Sequence, residues 1–294
     1  MAAISRPRRS VLYMPGSNPR ALEKARTLPA DALIFDLEDA VAPDAKSGAR
    51  DVIARAVHDG GYGQRELIVR VNGQGSAWGF DDLTAVASLP IDGVLLPKVE
   101  SADGVHQAEA VLTQAGAWDR LRLWCMMETP LGILHAEEIA GASPRVAGLV
   151  MGTSDLVKDL HAAHTTMRLP VITALGLCLL AARAHNLAIL DGVHLDLNDD
   201  AGFAESCRQG RELGFDGKTL IHPKTIAAAN AAYAPSVEDI AWGRRIIAAF
   251  DEAKAAGKGV VLVDGKLVEN LHVEEARRQV ALAEAIAEME RNVG

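Results

Sequence analysis

Cysteine is scarce. Cys125, Cys178 and Cys207 are the only three in 294 residues, and they stand far apart. They make neither a disulfide framework nor a CxxC metal pair, so a reducing, cytoplasmic setting is expected. Long apolar runs are missing too. No stretch approaches the ~20 apolar residues of a membrane span, and no apolar run of about 7–15 residues precedes a cleavage site at the N-terminus. Neither a membrane partner nor a secretory leader is expected. Basic charge is short: the formal net charge is −9, and no basic stripe offers nucleic acid a footprint. The one basic cluster, Arg6, Arg8 and Arg9, reads as a solvated tail. No Gly-x-Ser-x-Gly elbow supports a serine hydrolase. Gly60-Gly61-Tyr62-Gly63 precedes an apolar run instead of following one, which argues against a dinucleotide fingerprint.

What is there is ample apolar material, 49% of the chain, arranged in a repeating pattern. Short apolar runs alternate with longer helical ones up to about residue 222. The runs are Val11–Tyr13, Leu33–Phe35, Leu67–Val71, Gly93–Leu96, Leu121–Met126, Leu149–Met151, Ala188–Leu190 and Lys218–Ile221. Their hydrophobicity is near-continuous, as expected for parallel strands covered on both faces. Between them, Pro19–Leu28, Asp44–Val57, Ala102–Ala115 capped by Ser101, Thr173–His185, and Asp199–Leu213 closed by Gly214 read as helices. Eight strand-then-helix units predict a (β/α)8 barrel over residues 1–232; a doubly wound open sheet is the competing arrangement. Residues 233–294 read as an appendage. A helix over Val237–Ala256 precedes a hairpin, Val260–Val263 and Lys266–Val268, turned by Asp264-Gly265; a helix over Val273–Arg291 follows. This extension is expected to act as a lid or to serve oligomerisation.

In such a barrel the chemistry lies at the C-terminal strand ends. There the sequence places Asp36, Glu38 and Asp39, then Arg70, Pro97-Lys98, Glu128, Gly152-Thr153-Ser154-Asp155, Asp191-Gly192 and His222. Glu128 and Asp155 each read equally well as a first-turn or N-cap acid. Together, at the ends of adjacent strands, they can share one hard cation such as Mg²⁺, which keeps several waters and needs only one or two carboxylates. Asp36, Glu38 and Asp39 can bind Lys and Arg or hold metal-bound water. Arg70, at the end of a buried strand, requires an anionic partner, either structural or a ligand. His222 reads as a packing or hydrogen-bonding residue, and His161 and His164 as solvent-exposed.

These same stretches resemble the citrate lyase β-subunit-like (HpcH/HpaI aldolase) family of CoA-ester lyases. The matching segments are Arg9–Ser17, Phe35–Val41, Val69–Gly73, Leu96–Glu100, Met127–Pro130, Gly152–Leu156 and Gly217–Pro223, in family order. The resemblance implies a (β/α)8 barrel, a homotrimer or hexamer, and Mg²⁺, or Mn²⁺ in its place, at Glu128 and Asp155. It implies that Arg70 contacts the reacting group and that Asp36, Glu38 and Asp39 serve the metal's outer shell. Arg20 and Lys24 would meet the CoA phosphates, and backbone N–H groups near Gly152 a developing oxyanion. The segments Gly176–His185 and Asp264–His272 resemble the malyl-CoA branch, its thioesterases in particular. Where the lyases carry an acid/base aspartate, this chain has Glu269, one methylene longer. The leading expectation is cleavage of a malyl-CoA-type 3-hydroxyacyl-CoA to an acyl-CoA and a 2-oxoacid such as glyoxylate. The alternatives are hydrolysis to malate and CoA on the same metal site, and a carrier-protein-dependent citrate lyase-like subunit.

Overall fold

The computed structural model describes residues 6–291. Contacts divide them into two compact units, one spanning Arg8–Tyr233 and the other holding residues 234–291 with Arg6 and Pro7.

The first unit is a closed parallel barrel. Its strands are β1 (Ser10–Pro15), β2 (Ala32–Asp36), β3 (Glu66–Arg70), β4 (Gly93–Leu96), β5 (Arg122–Met127), β6 (Val146–Met151), β7 (Ala188–Asp191) and β8 (Gly217–Leu220). They pair in sequence order, and β8 closes on β1 with Lys218, Thr219 and Leu220 opposite Ser10, Val11 and Leu12. Around it run α1 (Pro19–Ala25), α2 (Lys46–Asp59), α3 (Gly79–Val86), α4 (Ala102–Gln114), α5 (Pro130–Leu134), α6 (Ala136–Ala140), α7 (Thr153–Asp159), α8 (Ile172–Ala184), α9 (Asp200–Leu213) and α10 (Ile226–Tyr233). Their ends follow from local chemistry. Asn18, Ser101 and Asp199 accept hydrogen bonds from the amides of Ala21, Gly104 and Gly202. Gly214, at φ 104°, ends α9 in the left-handed region that glycine adopts without strain.

Side chains alternate between two cores. Ala32 and Ile34 of β2 join Val11, Ile68, Leu95, Trp124, Met126, Val150 and Leu190 inside the barrel. Leu33 and Phe35 join the larger layer between strands and helices. Each such buried aliphatic or aromatic side chain contributes ~1.5–3 kcal/mol. Trp124 is fully buried. It needs Gly93 and Gly148, because a Cβ at either would lie 2.9 or 2.3 Å from its ring atoms. The basic N-terminal cluster is not a solvated tail where it enters the barrel. Arg9 is buried, and its Nε and Nη2 donate to both carboxylate oxygens of Asp31 at 2.9 Å. Arg8 pairs with Glu66 and lies 5.0 Å over the Trp124 ring. A buried guanidinium must be paired, and both acids stand on adjacent barrel segments.

The second unit has α11 (Val237–Ala255), the antiparallel strands β9 (Val261–Val263) and β10 (Lys266–Val268), and α12 (Asn270–Arg291). Asp264 (φ 49°) and Gly265 (φ 74°) make the expected two-residue turn. Ile246, Phe250, Val268, Val273 and Ala276 form its own small core. Glu269 stands half-buried between β10 and α12, its amide donating to His272 Nδ1 at 3.1 Å. No helix among the described residues is long and apolar enough to cross a membrane.

Candidate active site

The strand ends surround a cavity of about 310 Å³. Asp36, Asp39, Arg70, Glu128, Gly152 and Asp155 all line it, so six of the singled-out residues share one wall system. Glu128 follows the last residue of β5 and is 2% exposed. Its Oε1 accepts the Lys98 amide at 2.8 Å. Lys98 reaches that position with φ 49°, a left-handed conformation rare for a residue with a Cβ. Burial, together with the nearby Glu38 carboxylate, pushes the Glu128 carboxyl up to about 7. Asp155 stands in the first turn of α7, with Lys158 Nζ 3.7 Å away.

Gly152 lets the Glu128 side chain lie against its backbone by having no side chain of its own. A Cβ there would lie 2.3 Å from Glu128 Cβ and 2.6 Å from its Oε2. The Gly152 amide itself donates to the Met127 carbonyl at 3.0 Å, because the β5–β6 ladder continues through it, so an oxyanion donor near Gly152 would have to be another backbone N–H.

Arg70 finds its anionic partners within the chain. Nε and Nη2 grip Asp36 at 2.7 and 2.6 Å, while Nη1 lies 2.9 Å from Glu38 Oε2 and 3.2 Å from Asp39 Oδ2. The guanidinium also lies 4.9 Å over the Tyr13 ring. Asp36 is itself anchored by the Glu38 and Ala40 amides at 2.9 and 3.0 Å. Burial raises the Glu38 carboxyl, with Arg70 opposing. Lys98 Nζ reaches Glu38 at 3.4 Å. Burial works against its charge, but Glu38, Glu128 and Asp155 hold its pKa above the usual value. Lys98 was among the strand-end residues expected here, whereas Tyr13 was not. Nothing local in the sequence marks Tyr13 as a site residue.

Two other expected residues of the first unit, Arg20 and Lys24, stand exposed on α1 and do not line this cavity. Glu269 lies in the second unit. His161 and His164 are exposed, and His222 uses Nδ1 to accept the Lys224 amide at 3.1 Å. A buried charge cluster lies beside the cavity at the ends of β7 and β8. Asp191 and Lys218, both fully buried, meet at 2.8 Å; Arg168 Nη1 joins Asp191 at 2.6 Å, and Lys218 also donates to Ser206 Oγ at 2.8 Å. Burial opposes the Asp191 charge, but Lys218 and Arg168 prevail and hold its carboxyl below the usual range.

The donor set fits a hard divalent cation. Among the described residues no group of three or more His, Cys, Asp or Glu gathers at metal-binding distance. Glu128 and Asp155 line the same cavity with carboxylate oxygens, the donor type Mg²⁺ accepts when water and a ligand fill its other positions. Burial and the Glu38 carboxylate favour the protonated form of Glu128 over the opposing pull of Lys98, so a cation bound beside it would displace that proton.

Residues 9–223 match the HpcH/HpaI aldolase/citrate lyase family. The chain is 52% identical over 287 residues, 98% of either protein, to the (3S)-malyl-CoA thioesterase of Cereibacter sphaeroides strain ATCC 17025. It is 38% identical over 285 residues to the citrate lyase subunit beta of Escherichia coli K12, covering 95% of this chain and 94% of that one. The fold is similar to the CitE protein of Mycobacterium tuberculosis in complex with magnesium, acetoacetate and coenzyme A. The TM-score is 0.76 and the identity 30%, covering 96% of this chain and 100% of that one. A citrate lyase beta subunit from M. tuberculosis, complexed with oxaloacetate and magnesium, aligns with a TM-score of 0.67 and 32% identity over 80% of this chain and 100% of its own. With an eight-stranded barrel, a cavity at its strand ends and a match that runs from β1 past β8, this chain belongs to the HpcH/HpaI aldolase/citrate lyase family.

Proposed function

We propose that this chain is a cytoplasmic, Mg²⁺-dependent thioesterase that hydrolyses a malyl-CoA-type 3-hydroxyacyl-CoA to the hydroxy acid and free CoA. Hydrolysis thereby takes precedence over the carbon–carbon cleavage expected from the sequence. The observation that carries it is the 52% identity to a (3S)-malyl-CoA thioesterase across 98% of both chains.

Glu128 and Asp155 would hold the ion, Mg²⁺ or Mn²⁺. Once bound it supplies Lewis acidity toward the carboxylate and hydroxyl oxygens of the malyl group. The remaining work falls to the chain. Arg70, fixed by two bonds to Asp36, lines the cavity and is the cation assigned to the thioester oxygen. Turning an N–H from its acidic partners toward that oxygen would offset the negative charge that grows there as water attacks. Glu269, in a C-terminal unit serving as lid, is the group assigned to take the water's proton and return it to the departing thiolate. Arg20 and Lys24, exposed cations on α1, are assigned to the CoA phosphates. The assembly is a homotrimer or hexamer.

Carbon–carbon cleavage is the second reading, favoured by the 38% identity to a citrate lyase subunit. In it Glu269 protonates the enolate carbon. The purified chain, given malyl-CoA and Mg²⁺, should release free thiol and malate without glyoxylate. Glyoxylate and acetyl-CoA without free thiol would overturn hydrolysis in favour of cleavage. No turnover of free CoA esters, with activity only on a carrier-bound acyl group, would instead support a carrier-dependent subunit.

A further inference from the structure

A second cavity of about 330 Å³ lies beside the first, against the segment that joins α7 to α8 and the start of α9. Thr153 and Val193 line both cavities, so the two meet at these side chains. The junction is tight: a Cβ on Gly192 would lie 2.5 Å from Thr153 Oγ1. The second cavity is built, not incidental. Arg168, at φ 52°, fastens its wall to Asp191 at 2.6 Å and to Gln209 at 2.6 Å, and Gln209 returns a bond to the Met167 carbonyl at 2.7 Å. Val157, Val171 and Pro170 give it apolar walls. His194 Nε2 is buried without a hydrogen-bond partner, its nearest acid being Asp199 Oδ2 at 3.8 Å. Its volume falls within the range of small-molecule sites, about 300–1,000 Å³.

The chemistry of the first cavity says what can reach the second. On the functional reading above, on which this inference rests, the substrate's carboxylate and hydroxyl would both turn toward the cation that Glu128 and Asp155 would hold. They share one carbon, whose third bond leads to the thioester. Only its fourth substituent, hydrogen in a malyl group, is left to face a neighbouring wall. Thr153 directly follows Gly152, which abuts Glu128, and lies two residues before Asp155. We infer that the second cavity is an acyl side pocket, entered past Thr153 and Val193, which receives an aliphatic substituent on the hydroxyl-bearing carbon. The enzyme would then accept 3-hydroxyacyl thioesters with chains of several carbons at that position, and Thr153, Val193 and Ala163 would set the limit.

Ala163 is an exposed residue of the second cavity and takes no part in the first. Ala163→Trp should fill the side pocket while malyl-CoA turnover persists. The readout is the ratio of kcat/KM for the 3-propyl homologue of malyl-CoA to that for malyl-CoA itself. It should fall at least about tenfold, the scale at which a hydrophobic pocket discriminates chain length. A ratio unchanged within about twofold overturns the inference. A second measurement does not depend on turnover: a crystal structure of the wild-type protein with Mg²⁺ and 2-propylmalate. The propyl chain should lie between Val171, Ala163 and His194; a chain pointing elsewhere overturns the assignment. If the chain occupies the pocket but no thioester is hydrolysed, the hydrolase reading fails and the pocket stands. If malyl-CoA is hydrolysed and the ratio does not move, the reverse holds.

Discussion

Replacing Glu128 with Gln tests the electrostatics of the cavity most directly. Glu128 is 2% exposed, and its carboxyl rises from an ordinary 4.5 to about 7. The causes are burial first, then Glu38 nearby, with the Lys98 amide partly offsetting them. At about 1.4 kcal/mol per tenfold change in proton affinity, keeping Glu128 ionised in the metal-free barrel costs roughly 3 kcal/mol. The sign follows from linkage. Below pH about 4.5 the carboxyl is protonated folded and unfolded, and no penalty exists. As pH rises the unfolded chain loses the proton first, and stability falls until pH passes about 7. Gln retains an oxygen to accept the Lys98 amide and carries no charge. Without metal, Glu128→Gln should therefore be more stable than wild type at pH 8 by roughly 3 kcal/mol, with the gap closing toward pH 5. Urea denaturation in a chelator, followed by circular dichroism at several pH values, measures it. Added Mg²⁺ should then stabilise wild type and not the variant, since a ligand stabilises only the state that binds it. A variant less stable than wild type at pH 8 in chelator would refute the reasoning, because the buried charge would then not be the cost.

Gly152→Ala should weaken Mg²⁺ binding by about 10–100-fold with the fold retained, because the new methyl displaces Glu128; calorimetric titration showing unchanged affinity would contradict this. Asp191→Asn leaves Lys218 charged and fully buried beside Arg168 and should cost about 3–5 kcal/mol in a denaturant titration. Loss below about 1 kcal/mol would mean that Ser206 and water satisfy Lys218 unaided. Burial pushes the thiols of Cys125 and Cys178 up to about 12 and that of Cys207 up to about 11. A thiol-reactive dye at pH 8 should label none of the three until the protein is denatured, then all three; rapid labelling of the native protein would show the barrel opening locally.

All eight strands were legible as near-continuous apolar runs, because a parallel strand in this barrel has no solvated face: Leu33 and Phe35 bury outward while Ala32 and Ile34 bury inward. The long capped helices α4, α9 and α11 were legible for a similar reason, each opened by Ser or Asp. The short helices α3, α5, α6, α7 and α10 were not, since five to eight residues hold too few turns for an apolar period to stand out. The clearest error was at Arg8 and Arg9. Their neighbours in sequence look like a charged tail, and the acids that bury them lie 22 and 58 positions away.

Order along the chain, together with the rule that barrel chemistry gathers at strand ends, was enough to name Glu128, Asp155, Arg70 and the Asp36 turn as one constellation. Spacing carries that information because each strand end delivers its next residue to the same rim. Three-dimensional packing settled everything that depends on who faces whom. It gave Arg70 to Asp36 over other partners, turned the Lys98 amide onto Glu128, and used the Gly152 amide in the sheet, leaving that glycine's missing side chain as its contribution. It also set the proton affinity of Glu128, which reflects the water excluded around it and the charge of Glu38, a residue 90 positions earlier and three strands away. Such quantities come from distances between atoms remote in the chain, and no local pattern of residues encodes them.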